Sequence, residues 1–311
     1  MRFFDLHCDT LYECYNNDKG FGENDLQVSL DKRGNISEWV QCFAIWIPDK
    51  MRGRKALELL KSSYAKLIRE YILNGRSMFL CKDEGDIKKA LKAKKCAGIF
   101  TVEGSAAIGD DLDNIDLLKR LGVKMVTLTW NGSSEIGDGI LVENAKGLSR
   151  FGKQAVKLME YNKIIVDISH ASERLFWNVF DVTEKPFVAS HSNSRSVCPN
   201  KRNLTDDQFL AIKNRQGLVG LNFCKEFVSE KEDAGFDELM KHLEHFLSLK
   251  GEDTVAIGSD FDGCKTIKDL SNLRDIERFY EYLLRHNYSE ELIDKLFFKN
   301  SYDFFEKYNL C

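Results

Sequence analysis

The chain has 311 residues, 43% hydrophobic and 30% charged, with a formal net charge of −4. This is ordinary for a soluble globular protein, and without a basic excess or basic patch it argues against a nucleic-acid binder. No stretch approaches the ~20 apolar residues of a membrane span, the first residues lack signal-peptide regions, and the nine cysteines are scattered with no C-x-x-C pair, so a cytoplasmic protein with core thiols is expected, without disulfides or a thiolate zinc site.

Short apolar runs that end at polar residues recur along the chain. The first is FFDL (3–6) and the second VQCFAIWI (40–47). RKALELLKSSYAKLIREYILNG (54–75) has apolar residues at helical spacing and predicts a helix capped by Gly75. AGIFTV (97–102) precedes a helix over 113–122 closed by Gly122, and VKMVTLT (123–129) precedes one over 148–162. KIIVDI (163–168) and a helix over 172–182 lead to PFVAS (186–190). A helix over 205–217 starts at Thr205 with Asp206 and Asp207, a cap and two acids where the helix dipole favours them. GLVGLNF (217–223), a helix over 236–251, TVAIGS (254–259) and closing helices over 289–308 complete the series.

Runs this short and apolar suit strands buried on both faces, and their alternation with helices implies a parallel sheet. Eight such units fit a closed (β/α)8 TIM barrel better than an open sheet, for which a G-x-G-x-x-G turn after the first strand is missing. With three prolines and no linker, repeat or low-complexity tract, residues 1–311 read as one domain.

Active sites of such barrels lie at the C-terminal strand ends. Here those ends carry His7 and Asp9, Glu103, His170, His191 and Asp260. His7 and Asp9, two apart, share a strand face, and Cys8 points away. Imidazoles with carboxylates suit zinc or a similar divalent ion, and five ligands suit two ions sharing one carboxylate. A single histidine at a strand end is usually a satisfied polar residue; it is the joint pattern that argues for a site. His242 and His245, on a charged helix, read as a solvated face, and His286 has no such context. Serine chemistry is disfavoured: Ser169–His170 and Ser190–His191 are neighbours whose side chains point apart on a strand, Cys8 fails by the same parity, and there is no G-x-S-x-G elbow.

DLHCDT, VEG, SHAS, SHSNSRSVCPNKRNLTDDQ and GSDFDG resemble the renal (membrane) dipeptidase family of zinc peptidases over nearly the whole chain. The long S-H-S stretch is the specific part. The resemblance implies a metal-dependent amidohydrolase barrel with two zinc ions per chain. His7 and Asp9 would hold one ion, His170 and His191 the other, and Glu103 would bridge them. Arg202 would take the substrate's terminal carboxylate, and Asp260 would transfer protons. The expected reaction is dipeptide hydrolysis by a metal-bridging hydroxide, with a D-residue tolerated on the C-terminal side. The expected partner is a dipeptide, with neither nucleic acid nor membrane, and a homodimer is compatible with the resemblance. From residues alone Arg202 reads as a surface salt bridge.

The chain departs from the family at LTWNGSSEIGDG, where Trp130 replaces a substrate-contacting histidine, so Trp130 is expected to donate one hydrogen bond to the oxyanion or to wall the pocket. Asp303 stands where the family has an arginine. A hydrolase of the same barrel type acting on another small amide, lactam or ester remains the alternative, as does a barrel that has lost catalysis. No signal or lipid-anchor segment is recognised, as expected for a microbial, intracellular member.

Overall fold

The apolar runs form parallel strands in a computed structural model that describes residues 1–82 and 85–308. They are β1 Arg2–Cys8, β2 Glu38–Trp46, β3 Met78–Cys81, β4 Cys96–Glu103, β5 Val123–Thr127, β6 Ile165–Asp167, β7 Val188–Ala189, β8 Leu218–Leu221 and β9 Val255–Ile257. β1 pairs with β2 and β9, β2 pairs with β4 over Trp39–Trp46, and β4 through β9 pair in order. Eight strands therefore close a (β/α)8 barrel.

β3 is the strand the apolar pattern does not reveal. It pairs with the first half of β4, Met78 opposite Cys96, while β5 takes the second half, Phe100 opposite Val123. β3 is thus a wedge at the lower rim, four residues long and without a β-branched side chain.

The barrel's lower interior is filled by Phe4 and Leu6, Val40 and Cys42, Ala97 and Ile99, Met125, Ile165, Val188, Leu218 and Ala256. Alternation sets this inward layer. From below, the closing helices insert Phe298, Phe304 and Phe305 into the same cluster. The closing segment is not one regular helix: Glu290–Asp294 is followed by a π-helical turn, Lys295–Lys299, and then Asn300–Lys307. Asn300 Nδ2 donates to the Glu252 and Val255 carbonyls at 2.8 Å each, tying this plug to β9. Asp303 pairs with Lys299 on the surface.

Several helix expectations need correction. The long second helix, Gly53–Leu73, is capped by Asn74, whose N–H bonds the Glu70 carbonyl, so Gly75 lies beyond the cap. Helices Thr10–Asn16, Asp86–Lys92, Lys225–Val228 and Ile276–Arg285 were not expected. The first two are only seven residues long and the third only four. The last is amphipathic, burying Ile276, Phe279 and Leu283 at helical spacing, a pattern open to detection.

His242 is also corrected. It is buried, not solvated. Its Nδ1 accepts from the Ser194 N–H at 3.1 Å and its Nε2 donates to the Val228 carbonyl at 2.8 Å. The pair of bonds fixes the neutral tautomer and pins helix Phe236–Ser248 to the loop after β7. His245, one turn on, meets Asp206 at 2.8 Å.

Burial pushes His242 down to about 4. The unfolded chain then binds the extra proton between about pH 6.5 and 4, so this residue's contribution is complete above 6.5 and is lost as pH falls toward 4, by about 3 kcal/mol at most. His242→Gln is expected to flatten the pH dependence of Tm in that window relative to wild type. Parallel curves for the two proteins contradict the assignment.

Candidate metal centre

All six expected rim residues reach one place, and the backbone is bent to bring them there. β1 carries one extra residue between Asp5 and Cys8 relative to β2. Such a bulge shifts the side-chain phase, and Phe3 and Cys8, of opposite parity, both pack in the outer core. Cys8 faces away from the rim as expected, but the bulge turns His7, and Asp9 lies past the strand as the cap of helix Thr10–Asn16. On β4, simple alternation from Ala97 and Ile99 carries Glu103 to the inward top layer. His170 (φ 66°), Asp260 (φ 59°) and Asp262 (φ 66°) adopt left-handed backbone, a strain of ~1–3 kcal/mol each that clusters at functional sites. Gly263 completes the bend: a Cβ there would lie 2.2 Å from Asp9 Oδ2 and 2.5 Å from Asp260 Oδ1.

Glu103 sits at the centre. Its Oε1 lies 2.9 Å from His170 Nε2 and 3.4 Å from His191 Nε2, and its Oε2 lies 3.8 Å from His7 Nε2. His7 Nε2 is also 3.3 Å from Asp9 Oδ2. Two donor trios result, His7–Asp9–Glu103 and Glu103–His170–His191, each with its ligand atoms within 4.8 Å of one another. Glu103 belongs to both, one oxygen toward each.

Hydrogen bonds behind the histidines settle their tautomers. His170 Nδ1 lies 2.9 Å from Asn131 Oδ1, an acceptor, so Nδ1 carries the proton. Ser190 Oγ donates to Asp167 Oδ2 at 2.6 Å, so it accepts from His191 Nδ1 at 2.7 Å. Both Nε2 atoms are therefore bare lone pairs, 3.1 Å apart. Two lone pairs aimed at one point repel unless a cation lies between them and Glu103. Asp9 Oδ1 is buried without a partner. These donors, neutral imidazoles and carboxylates with fixed second partners, fit divalent metal ions.

The electrostatics point the same way. Burial pushes Glu103 well above the carboxylate range, Asp9 adds to it and His7 opposes it. Burial opposes charge on His7, but Glu103, Asp9 and Asp260 outweigh it and lift His7 to about 10. Burial holds His170 and His191 well below the ordinary range, helped by Arg202 and His7. The first trio holds a proton shared among His7, Asp9 and Glu103, and the second is a pair of neutral bases.

A cleft of about 550 Å³ opens over this rim, lined by Asp9, Glu103, His170, Asp260, Trp46 and Trp130 among others. Asp260 is raised to about 6 by burial against the pull of His7, and its Oδ2 accepts from Asn222 Nδ2 at 2.9 Å. Trp130 does wall the cleft: its ring meets Trp46 edge-on at 4.9 Å and stands 6.2 Å from the His170 ring. Arg202 is no surface residue. It is buried in a narrow gap beside His170 and Ser192, outside the cleft's lining. Its Nη1 donates to Ser192 Oγ and its Nη2 to the His191 carbonyl, both at 2.9 Å, and Nε is buried without a partner.

The parity argument for Ser190 and His191 needs correction. β7 ends at Ala189, so the two residues lie in a turn and their side chains do bond. Ser190 is fully buried and gives its proton to Asp167, which makes it a relay and no nucleophile. Sequence reasoning missed Asp167, Asn131, Asn222 and Asp5. Asp5 accepts from the His7 and Ser259 N–H groups and from Ser259 Oγ and Gln41 Nε2, bracing β1 against β2 and β9. Asp5 and Asp167 do leave a trace, as lone acids inside the apolar runs FFDL and KIIVDI.

With this geometry in view, the family model described as membrane dipeptidase (peptidase family M19) matches residues 1–309. A metallopeptidase of family M19 described as dipeptidase AC has a solved structure that superposes with TM-score 0.93 at 27% identity, covering 100% of this chain and 99% of that one. A metallopeptidase from Rhodobacter sphaeroides, solved with a phosphinate mimic of the dipeptide L-Ala-D-Ala, gives TM-score 0.92 at 26% identity, covering 98% of this chain and 99% of that one. An uncharacterized dipeptidase of Schizosaccharomyces pombe is 30% identical over 240 residues, 70% of this chain and 56% of that protein.

Asp167→Asn keeps the shape of the relay but removes its charge. It is expected to weaken divalent-ion binding by ~10–100-fold, read by competition with a chelator. Unchanged affinity contradicts the relay.

Proposed function

Because the chain belongs to the membrane dipeptidase family, peptidase family M19, whose members are metallodipeptidases, we propose that it hydrolyses dipeptides at a two-zinc rim bridged by Glu103. The observation that carries this reading is the position of Glu103, one oxygen toward His7 and the other toward His170 and His191. The bare Nε2 pair and the orphaned Asp9 Oδ1 support it. Bound there, two divalent ions would acidify a bridging water and polarise the scissile carbonyl.

The protein's own residues do the rest. Asp260, steered by Asn222 and open to the cleft, takes the proton of the attacking water and returns it to the leaving amine, which departs poorly without it. Arg202 is a buried cation whose Nε has no hydrogen-bond partner, and a buried donor left unmet is costly. A substrate carboxylate satisfies it, and the planar fork suits a carboxylate better than a lysine would. Trp130 and Trp46 exclude water from one side of the cleft, and the Trp130 indole N–H can donate to the developing oxyanion. The L-Ala-D-Ala mimic bound by the Rhodobacter sphaeroides enzyme supports a D-residue on the C-terminal side.

Purified, unchelated protein is expected to hold about two zinc ions per chain and to turn over L–L and L–D dipeptides. Glu103→Gln abolishes both properties. Arg202→Ala lowers kcat/KM by ~10²-fold, as does amidation of the dipeptide's C-terminal carboxyl on wild type. Protein free of divalent metal contradicts the metal reading, whereas full turnover in Arg202→Ala contradicts only the carboxylate anchor.

A further inference from the structure

The dipeptidase reading leaves two thiols in the cleft unused. Among the eight described cysteines, seven are buried and Cys264 is partly exposed. Cys264 follows β9 and Cys224 follows β8, and both line the cleft with Asp260. The two segments run antiparallel and are bonded: Lys225 N–H to the Lys265 carbonyl and Ile267 N–H to the Phe223 carbonyl, both at 3.0 Å. Cys264 Sγ donates to the Asp260 backbone carbonyl at 3.5 Å. Both Sγ atoms and an Asp260 carboxylate oxygen lie within 4.8 Å of one another.

We propose that Cys224, Cys264 and Asp260 form a third, thiol-based site for a thiophilic d10 cation, and that filling it stops turnover by capturing the Asp260 carboxylate. Bonds of ~2.3 Å to sulfur and ~2.0–2.2 Å to oxygen place tetrahedral ligands ~3.5 Å apart. The trio therefore needs to close by little more than 1 Å, and Cys264, at the cleft surface, has room to turn. Two sulfurs and one oxygen select a softer ion than the imidazole–carboxylate trios below, so the sites divide metals by chemistry. Lys225, paired with Glu232 at 2.7 Å, and Lys265 also line the cleft, but Glu13, Glu226 and Asp262 add to Asp9, Glu103 and Asp260 there, so its walls are net acidic and attract cations. Binding releases the thiol protons to solvent as the metal–sulfur bonds form. The binding claim stands on geometry alone; the inhibitory claim rests on the proton-transfer role given to Asp260 above.

The test titrates Cd²⁺ into the zinc-loaded protein, following the ultraviolet thiolate-to-cadmium charge-transfer band and dipeptide turnover in the same samples. The imidazole–carboxylate sites hold no thiolate, so exchange there is silent in this band. The expected result is a band that saturates at one cadmium per chain, with kcat falling ~10²-fold or more. Cys264→Ser and the Cys224→Ser/Cys264→Ser double variant lose the band and, relative to their own untreated rates, the inhibition. Circular dichroism and the untreated rate confirm that each variant is folded. No band in wild type, or the same band in the double variant, overturns the site. A normal band with unchanged turnover overturns the capture of Asp260. Asp260→Asn without cadmium then separates the two readings, since an inactive variant preserves the proton-transfer role and an active one removes it.

Discussion

Three carboxylates and three imidazoles converge at the top of the barrel in a space largely closed to water, and their charge has to be balanced there. Asp9, Glu103 and Asp260 are all buried, as are His7, His170 and His191. Hydrogen bonds alone do not resolve this cluster. Glu103 is pushed far above its ordinary range, its carboxylate neighbours lift His7 to about 10, and two imidazole lone pairs face each other at 3.1 Å. Divalent cations resolve every one of these conflicts at once, because they convert carboxylate repulsion and lone-pair repulsion into ligation.

The rest of the fold serves to hold that arrangement in place. The plugged lower barrel leaves the barrel interior open toward the upper rim, where the cleft lies. A bulge in β1 turns His7, left-handed residues turn His170 and Asp260, and Gly263 lets a loop press against two carboxylates. Beneath the histidines, Asp5 and Asp167 play parallel parts. Each is a buried acid two or three residues before a rim histidine, and each collects backbone N–H groups and serine hydroxyls from neighbouring strands. Through Ser190, Asp167 also fixes the proton of His191. The candidate ligands are thus held by fixed partners behind them, the condition for tight and well-defined metal sites.

Much of this was legible in the sequence. Eight apolar runs, each closed by a polar residue, disclose the barrel, because strands covered on both faces leave no other trace. The rim residues show themselves by ending those runs. What escaped detection did so for physical reasons. β3 is four residues beside a long helix. Three of the four missed helices, Thr10–Asn16, Asp86–Lys92 and Lys225–Val228, are two turns or fewer. Parity arguments assume regular strands: His7 and Asp9 do meet, with Cys8 facing away, but the argument failed at Ser190–His191, in a turn. His242 has charged neighbours in sequence, yet it faces inward to satisfy two backbone groups. Arg202 sits among charged residues in the sequence, but the fold buries it behind His191.

The central claim is that Glu103 joins two metal ions, and zinc-edge anomalous diffraction from crystals of the unchelated protein tests it most directly. The account predicts two peaks ~3.5–4 Å apart, one beside His7 and Asp9 and the other beside His170 and His191, with one Glu103 oxygen on each. A single peak, or two peaks of which Glu103 touches only one, would contradict it.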